Sequence, residues 1–290
     1  MKKIVFSIFI DIPESKLDNP GWFENGVQVK TDKSLKTKQA LLANYSNIIA
    51  NHKEYADTIG VDYRLYEYDD LYKRFSTLFQ LQYTEISEYD IVNFYKHHIM
   101  YQLTKEYDEI CYLDFDVVVN TKESIFEAHD IYNKFGCAHS NKLAEWGKKV
   151  SPKNYNTCIR NPSTKYWNTH AMLDDQGFEP DNDVFNTGIM VASSKIIKQL
   201  NYFKDFKSHI DIMSRLKNDE DSLYPYNIRR VFGYDNETLF SYFIQSRNIP
   251  VEYLNGPWHR IVDERYENIN QVPPSKLYHF INKRMDWIFG

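Results

Sequence analysis

Cysteine is scarce in this chain, and the three present (Cys111, Cys137 and Cys158) are odd in number and show no metal-binding spacing. That pattern argues against a disulfide framework and a zinc module, and it fits a reduced, cytoplasmic setting better than a secretory one. Neither sign of charge dominates: 35 Lys and Arg stand against 40 Asp and Glu, a net charge of −5 with the signs interspersed. A nucleic-acid grip needs a basic face, and the lysines within 30–38 read only as solvated helix or loop surface. No apolar run approaches the ~20 residues that span a bilayer. The short run 4–10 meets Asp11 and lacks a small-residue cleavage site, so it reads as a first strand rather than a signal peptide. Internal repeats, low-complexity tracts and flexible linkers are all missing, so one compact domain over 1–290 is expected.

What the chain does have is an alternation of strand and helix patterns. Residues 3–10 are β-rich, 34–59 carry apolar residues at helical spacing, and Gly60 ends that helix before a strand at 61–68. A helix over 91–107 leads into a strong apolar strand at 109–120. Strand, helix, strand, helix, strand is the order of a nucleotide-binding α/β sheet. Residues 133–183 read as irregular, with Ser151-Pro152 and Asn161-Pro162 among them. Beyond lie a strand at 184–192, helices over 194–216 and 234–246, and strands at 250–254 and 276–280. The 23 Tyr and 18 Phe suit a core, and Tyr can also pack on sugar faces.

The most informative stretch is Glu109-Ile110-Cys111-Tyr112-Leu113-Asp114-Phe115-Asp116-Val117-Val118-Val119-Asn120. Side chains at i and i+2 of a strand share a face, so this reading brings the Asp114 and Asp116 carboxylates to one spot. Two unpaired buried charges are costly, and a divalent cation would remove that cost. Oxygen ligands suit Mg or Mn, which complete their shells with water and phosphate. The bland alternative is a strand end whose aspartates cap a turn; the apolar residues on both sides favour the buried reading.

Four segments in order resemble glycosyltransferase family 8. The first is Tyr107 to Val119, with its Tyr-Leu-Asp-x-Asp-Val core. The second, Val184-Phe185-Asn186-Thr187-Gly188-Ile189-Met190, is similar to the family's Phe-Asn-[Ala/Ser]-Gly-Val-Met strand. The third, Tyr234-Asp235-Asn236-Glu237-Thr238-Leu239, resembles its Asp-Gln-Asp-x-Leu helix start. The fourth runs from Leu277 to Trp287 and is similar to His-Tyr-x-Gly-x-x-Lys-Pro-Trp. Asn282 stands where the family has Gly, and Met285 where it has a phosphate-binding Lys; Lys283 or Arg284 are the substitutes at hand. The resemblance implies a GT-A fold, a Rossmann-like α/β domain whose mixed central sheet is flanked by helices. Residues 1–120 would form its nucleotide-binding half and 121–290 its donor-sugar and acceptor half. It further implies Mn or Mg held by Asp114, Asp116 and His279. A UDP-sugar (UDP-glucose or UDP-galactose) would lie near Phe9, Asp11, Lys96, Phe115, Asn282 and Lys283. Asn186, Asp235 and Asn236 would serve the donor sugar, and transfer would retain the anomeric configuration. The acceptor would be a carbohydrate or glycoprotein; no nucleic acid or membrane span is implied, and a homodimer is compatible.

Each of these residues also has a plainer reading. His279 alone is an ordinary core histidine, Asn186-Thr187-Gly188 an ordinary turn, and Asp235-Asn236 a helix cap. Lys96, His97 and His98 read first as solvated helix surface, with a donor-phosphate contact second. Trp258-His259, after a Gly-Pro turn, reads as packing near the acceptor cleft. Two other functions compete. A nucleotidyltransferase would show a Gly-rich basic loop after strand one, where this chain has Asp11-Ile12-Pro13-Glu14. A non-catalytic sugar-binding protein would not need a complete set of metal candidates. Among transferases, the yeast-type α-galactosyl and mannosyl enzymes are the runner-up, on the look of Glu54-Tyr55-Ala56.

Overall fold

The computed structural model describes residues 1–16, 22–24, 27–29, 33–140, 161–179, 183–220, 229, 232–264 and 267–289; Cys158 and Ser151-Pro152 lie outside them. Strand β1 (Lys3–Ile8) pairs in parallel with β4 (Asp62–Tyr66) on one side and β5 (Glu109–Asp114) on the other. Its interior is buried on both faces, as a central parallel strand requires. Ile4 and Phe6 pack with Ile110 and Tyr112 toward helices α3 (Asp70–Gln82) and α4 (Glu88–Leu103). Val5, Cys111 and Leu113 pack on the opposite face with Tyr55 and Ala56 of α2 (Tyr45–Thr58).

The sheet continues through β8 (Phe185–Ser193), antiparallel to β5, then β7 (Phe135–His139) and β9 (Val251–Tyr253), for an order β4-β1-β5-β8-β7-β9. A second sheet joins β10 (Arg260–Val262), β11 (Leu277–Phe280) and β6 (Val117–Val119). The short strands β2 (Trp22–Glu24) and β3 (Val27–Val29) form a hairpin. This is the mixed, helix-flanked α/β sheet that the family resemblance implied. No helix among the described residues is long and apolar enough to cross a membrane.

Several expectations are corrected. The apolar stretch 109–120 is two strands in two sheets: the chain leaves the central sheet at Asp114, turns at Phe115-Asp116, and enters the second as β6. The helix expected over 34–59 is broken into α1 (Lys33–Ala43) and α2 at Asn44, whose side-chain amide returns to the Ala40 carbonyl at 3.0 Å. Likewise 194–216 divides into α7 (Ser194–Leu200) and α8 (Phe206–Asn218), because Asn201 and Asp205 adopt positive φ of 41° and 56°. Within the stretch read as irregular lie β7 and α6 (Asn161–Asp175).

Helix α2 carries the second sheet on two adjacent side chains. Asn51 both donates to the Val119 carbonyl and accepts from its N–H, each at 2.8 Å. His52, fully buried, donates from Nε2 to the Val117 carbonyl at 2.7 Å and has Ser7 Oγ 2.8 Å from Nδ1. Burial holds this imidazole neutral, lowering its pKa to about 4 despite the Val117 carbonyl and the nearby Asp116. The unfolded chain therefore takes up a proton that the fold refuses as pH drops below 6.5. Stability contributed by His52 is complete above that value and is lost toward pH 4, in all by about 3 kcal/mol. Urea unfolding from pH 7 to 4 should show this slope in the native chain and a shallower one in His52→Gln. Parallel profiles would contradict the assignment.

Candidate active site

Asp114 ends β5, Asp116 closes the turn after it, and His279 lies on β11, which pairs with β6. One ligand atom from each falls within 4.8 Å of the others. Nε2 of His279 is 3.8 Å from Asp114 Oδ2 and 3.4 Å from Asp116 Oδ1. The carboxylates converge as expected, but the turn between the two sheets brings them together rather than the alternation of one continuous strand. These three side chains can hold a divalent cation: two hard oxygen donors and one imidazole suit Mn or Mg.

Each carboxylate also has an ammonium partner. Lys96 of α4 is buried, contrary to the solvated-surface reading, and its Nζ lies 3.4 Å from Asp114 and donates to the Thr187 carbonyl at 3.1 Å. Lys283 bonds Asp116 from a backbone with φ of 67°. Burial alone would raise the Asp116 carboxyl, but Lys283 and His279 outweigh it and hold the group well below the usual carboxylate range. Tyr112, two residues before Asp114 on the same face of β5, gives its hydroxyl to that aspartate. Met285, where the family carries its Lys, is fully buried with Phe280 and Val118.

Asn186 stands on β8 beside this cluster. Its amide donates to Glu237 Oε1 at 3.0 Å and its carbonyl accepts from Gly188 N–H at 2.9 Å. Gly188 has no room for a side chain: a Cβ there would sit 2.2 Å from Cε1 of His279. Asp235 is the N-cap of α9 (Asn236–Ser246), accepting from Glu237 N–H at 2.9 Å. The structure thus places Asp235 as a cap and turns Asn236 inward, where its carbonyl meets Thr187 Oγ1 at 2.8 Å and His97 Nε2 at 3.2 Å. Glu237, which sequence reasoning passed over, is the α9 residue that reaches Asn186. Its carboxylate also accepts from Thr187 N–H and pairs with Lys165 of α6. Burial raises the Glu237 carboxyl, but the Lys165 charge prevails and lowers it. Nothing local in the sequence marks Lys165, since only tertiary packing brings α6 here.

A cleft opens beside the cluster, about 850 Å³ with the solvent at its mouth included, lined by Asp114, Asp116, Lys283, Phe9, Ile12 and Leu41 among others. The lining rings of Phe9 and Phe115 pack against each other and against Tyr45 at 4.8 to 5.7 Å. Asp11 is half exposed and pairs with Lys38 at 2.8 Å, so Lys38 departs from the solvated reading given to its stretch. Asn282 turns its amide to Asp263 and Glu264, at 2.8 and 2.9 Å. His259, expected to pack near an acceptor cleft, lies against His279.

A family model described as Glycosyl transferase family 8 matches residues 7–226. No curated protein matches the sequence significantly. Similar solved structures include mouse xyloside xylosyltransferase 1, at 13% identity over 97% of this chain and 98% of that one, with a TM-score of 0.44. Another is the galactosyltransferase LgtC in complex with donor and acceptor sugar analogs, at 13% identity, 96% and 87% coverage and a TM-score of 0.44. A glycosyltransferase involved in glycosylation of the major capsid of PBCV-1 shows 16% identity, 96% and 93% coverage and a TM-score of 0.38. Likeness this slight carries no function across.

The contact at Gly188 yields a direct check. Gly188→Ala must push His279 or β8 aside, an overpacking cost of about 1–3 kcal/mol. Thermal unfolding in chelator should show that loss; an unchanged midpoint would mean that the two sheets are not in contact here.

Proposed function

The chain belongs to glycosyl transferase family 8, and from that premise we propose that it moves a hexose from UDP-glucose or UDP-galactose to a carbohydrate or glycoprotein acceptor, with retention at the anomeric carbon. The observation that carries the donor assignment is the convergence of Asp114, Asp116 and His279 beside a cleft walled by Phe9, Ile12 and Leu41. Apolar and aromatic walls suit a base and ribose, and the paired carboxylates with an imidazole suit a cation on the adjoining diphosphate. A divalent cation bound there supplies Lewis-acid neutralisation of the departing UDP. Buried free thiols at Cys111 and Cys137 support a reducing, cytoplasmic setting.

The protein's own cations would do the rest of the phosphate work. Lys96 and Lys283 reach the same carboxylates that face the cleft, and preorganised ammonium groups stabilise charge as it develops on a leaving phosphate. With Met285 buried, Lys283 takes over the charge that the family places at that position. Asn186 would steady the donor sugar, its amide oriented by Glu237 and Gly188. Asn236 would act through Thr187 rather than on the sugar.

Retention requires either a double displacement or attack from the face that the diphosphate leaves. The carboxylate nearest Asn186 is that of Glu237, which accepts from its amide. Its oxygens are already engaged by Lys165, Asn186 and Thr187, which makes it a poor nucleophile. Same-face attack is favoured: the acceptor oxygen bonds to the anomeric carbon as the bond to the diphosphate breaks, and the acceptor proton passes to the departing phosphate oxygen. Asp235 would matter by capping α9 and so placing Glu237.

Isothermal titration should show UDP binding that depends on Mn and is lost in Asp116→Ala. Full binding or turnover in that variant, or in EDTA, would sink the metal assignment. Lys283→Ala should lower UDP affinity about tenfold, ~1.4 kcal/mol, with uridine binding little changed; an equal loss for both ligands would place Lys283 away from the phosphates. Proton NMR of the first product formed should show an α-linkage from an α-donor. A β-linked product would overturn the stereochemical proposal.

A further inference from the structure

His259 follows the turn Gly256–Trp258, directly precedes β10 and is 4% exposed. Its Nε2 lies 3.1 Å from Nδ1 of His279. The opposite nitrogen of His279, Nε2, is the one that faces Asp114 and Asp116. A neutral imidazole carries one N–H and one lone pair. For Nε2 to ligate a cation it must present the lone pair, so the proton must sit on Nδ1. There the acceptor in reach is His259 Nε2, because the Gly188 backbone walls the same edge; a Cβ on it would lie 2.6 Å from His279 Nδ1. His259 then keeps its own proton on Nδ1, a buried atom with no hydrogen-bond partner among the described residues.

We infer that His259 is a positioning residue: it accepts the Nδ1 proton of His279, fixes that ring in one tautomer and aims its Nε2 lone pair at the space shared with Asp114 and Asp116. Outer partners of metal-bound histidines commonly act this way, through the hydrogen bond made by the other ring nitrogen. His259 is not itself a ligand in this arrangement, since its nearer nitrogen is engaged by His279. The inference rests on the metal-site reading given above.

The test compares the native chain with His259→Leu, which removes the acceptor, and His259→Gln, whose side-chain carbonyl can accept the same bond. Mn affinity is measured by isothermal titration and by the EPR signal of free Mn. His259→Leu should bind Mn about 10- to 100-fold more weakly, and His259→Gln should recover most of that loss. Both variants lose the ring packing, so unfolding midpoints in EDTA should fall together while Mn affinities diverge. Native-like Mn affinity in His259→Leu, or equal loss in both variants, would overturn the role. Nitrogen-15 NMR of the native chain with Mg and UDP needs no variant to fold: the proton should lie on His259 Nδ1, and a proton on His259 Nε2 would overturn the role by itself. A native chain that binds no Mn would fail at the metal-site reading itself, whereas the other outcomes strike only His259.

Discussion

The site depends on one backbone crossing, where the chain passes from the central sheet to the second sheet within the two residues Phe115 and Asp116. A crossing this tight exposes strand-edge groups that must find partners in the interior. The partners come from two elements, β11 and α2. The Asp116 carbonyl accepts from Phe280 N–H at 3.0 Å, the Val117 carbonyl from His52, and both polar groups of Val119 are matched by Asn51. With these bonds made, Asp114 belongs to one sheet, Asp116 to the turn and His279 to the other sheet, and the distances among them follow from how the sheets abut. Gly188 sets how closely they can abut.

Helix α4 ties the two halves of the cleft together. Consecutive residues do this: Lys96 spans Asp114 and the Thr187 carbonyl, while His97 meets Asn236 and stacks on Tyr202 at 3.9 Å between ring centroids. The cap on α4 is built by Ser87, which accepts from Asp90 N–H at 3.2 Å and donates to the Asp90 carboxylate at 2.7 Å. A displacement of this helix would therefore be felt at the carboxylates and at the start of α9 together.

Much of this was legible in the sequence, and the reasons are physical. The buried strands declare themselves because both their faces need apolar side chains. The candidates Asp114, Asp116 and His279 stand out because charged or polar groups interrupt such strands only where something compensates them. Helix α3 was passed over because Leu71, Leu78 and Leu81 are exposed and blur the apolar period set by Tyr72, Phe79 and Tyr83. The breaks at Asn44 and Asn201 were hidden because an asparagine ends a helix by a local backbone choice that periodicity does not register. Around α9 the difficulty was angular: a cap fixes which of three adjacent polar residues reaches Asn186, and here that is Glu237 rather than its neighbours. The pairing of His259 with His279 spans a separation that no local pattern encodes.

The charge arrangement around the carboxylates has a consequence for assembly of the protein. In small metal-dependent domains the ligands repel one another until the ion arrives, so folding and loading are one event. Here Asp114 and Asp116 find counter-charges in Lys96 and Lys283, supplied by α4 and by the segment after β11. The polypeptide thus neutralises its own candidate ligands as it folds. On the proposed reading of the site, folding and metal loading are therefore separable, and the chain needs no ion to complete its fold.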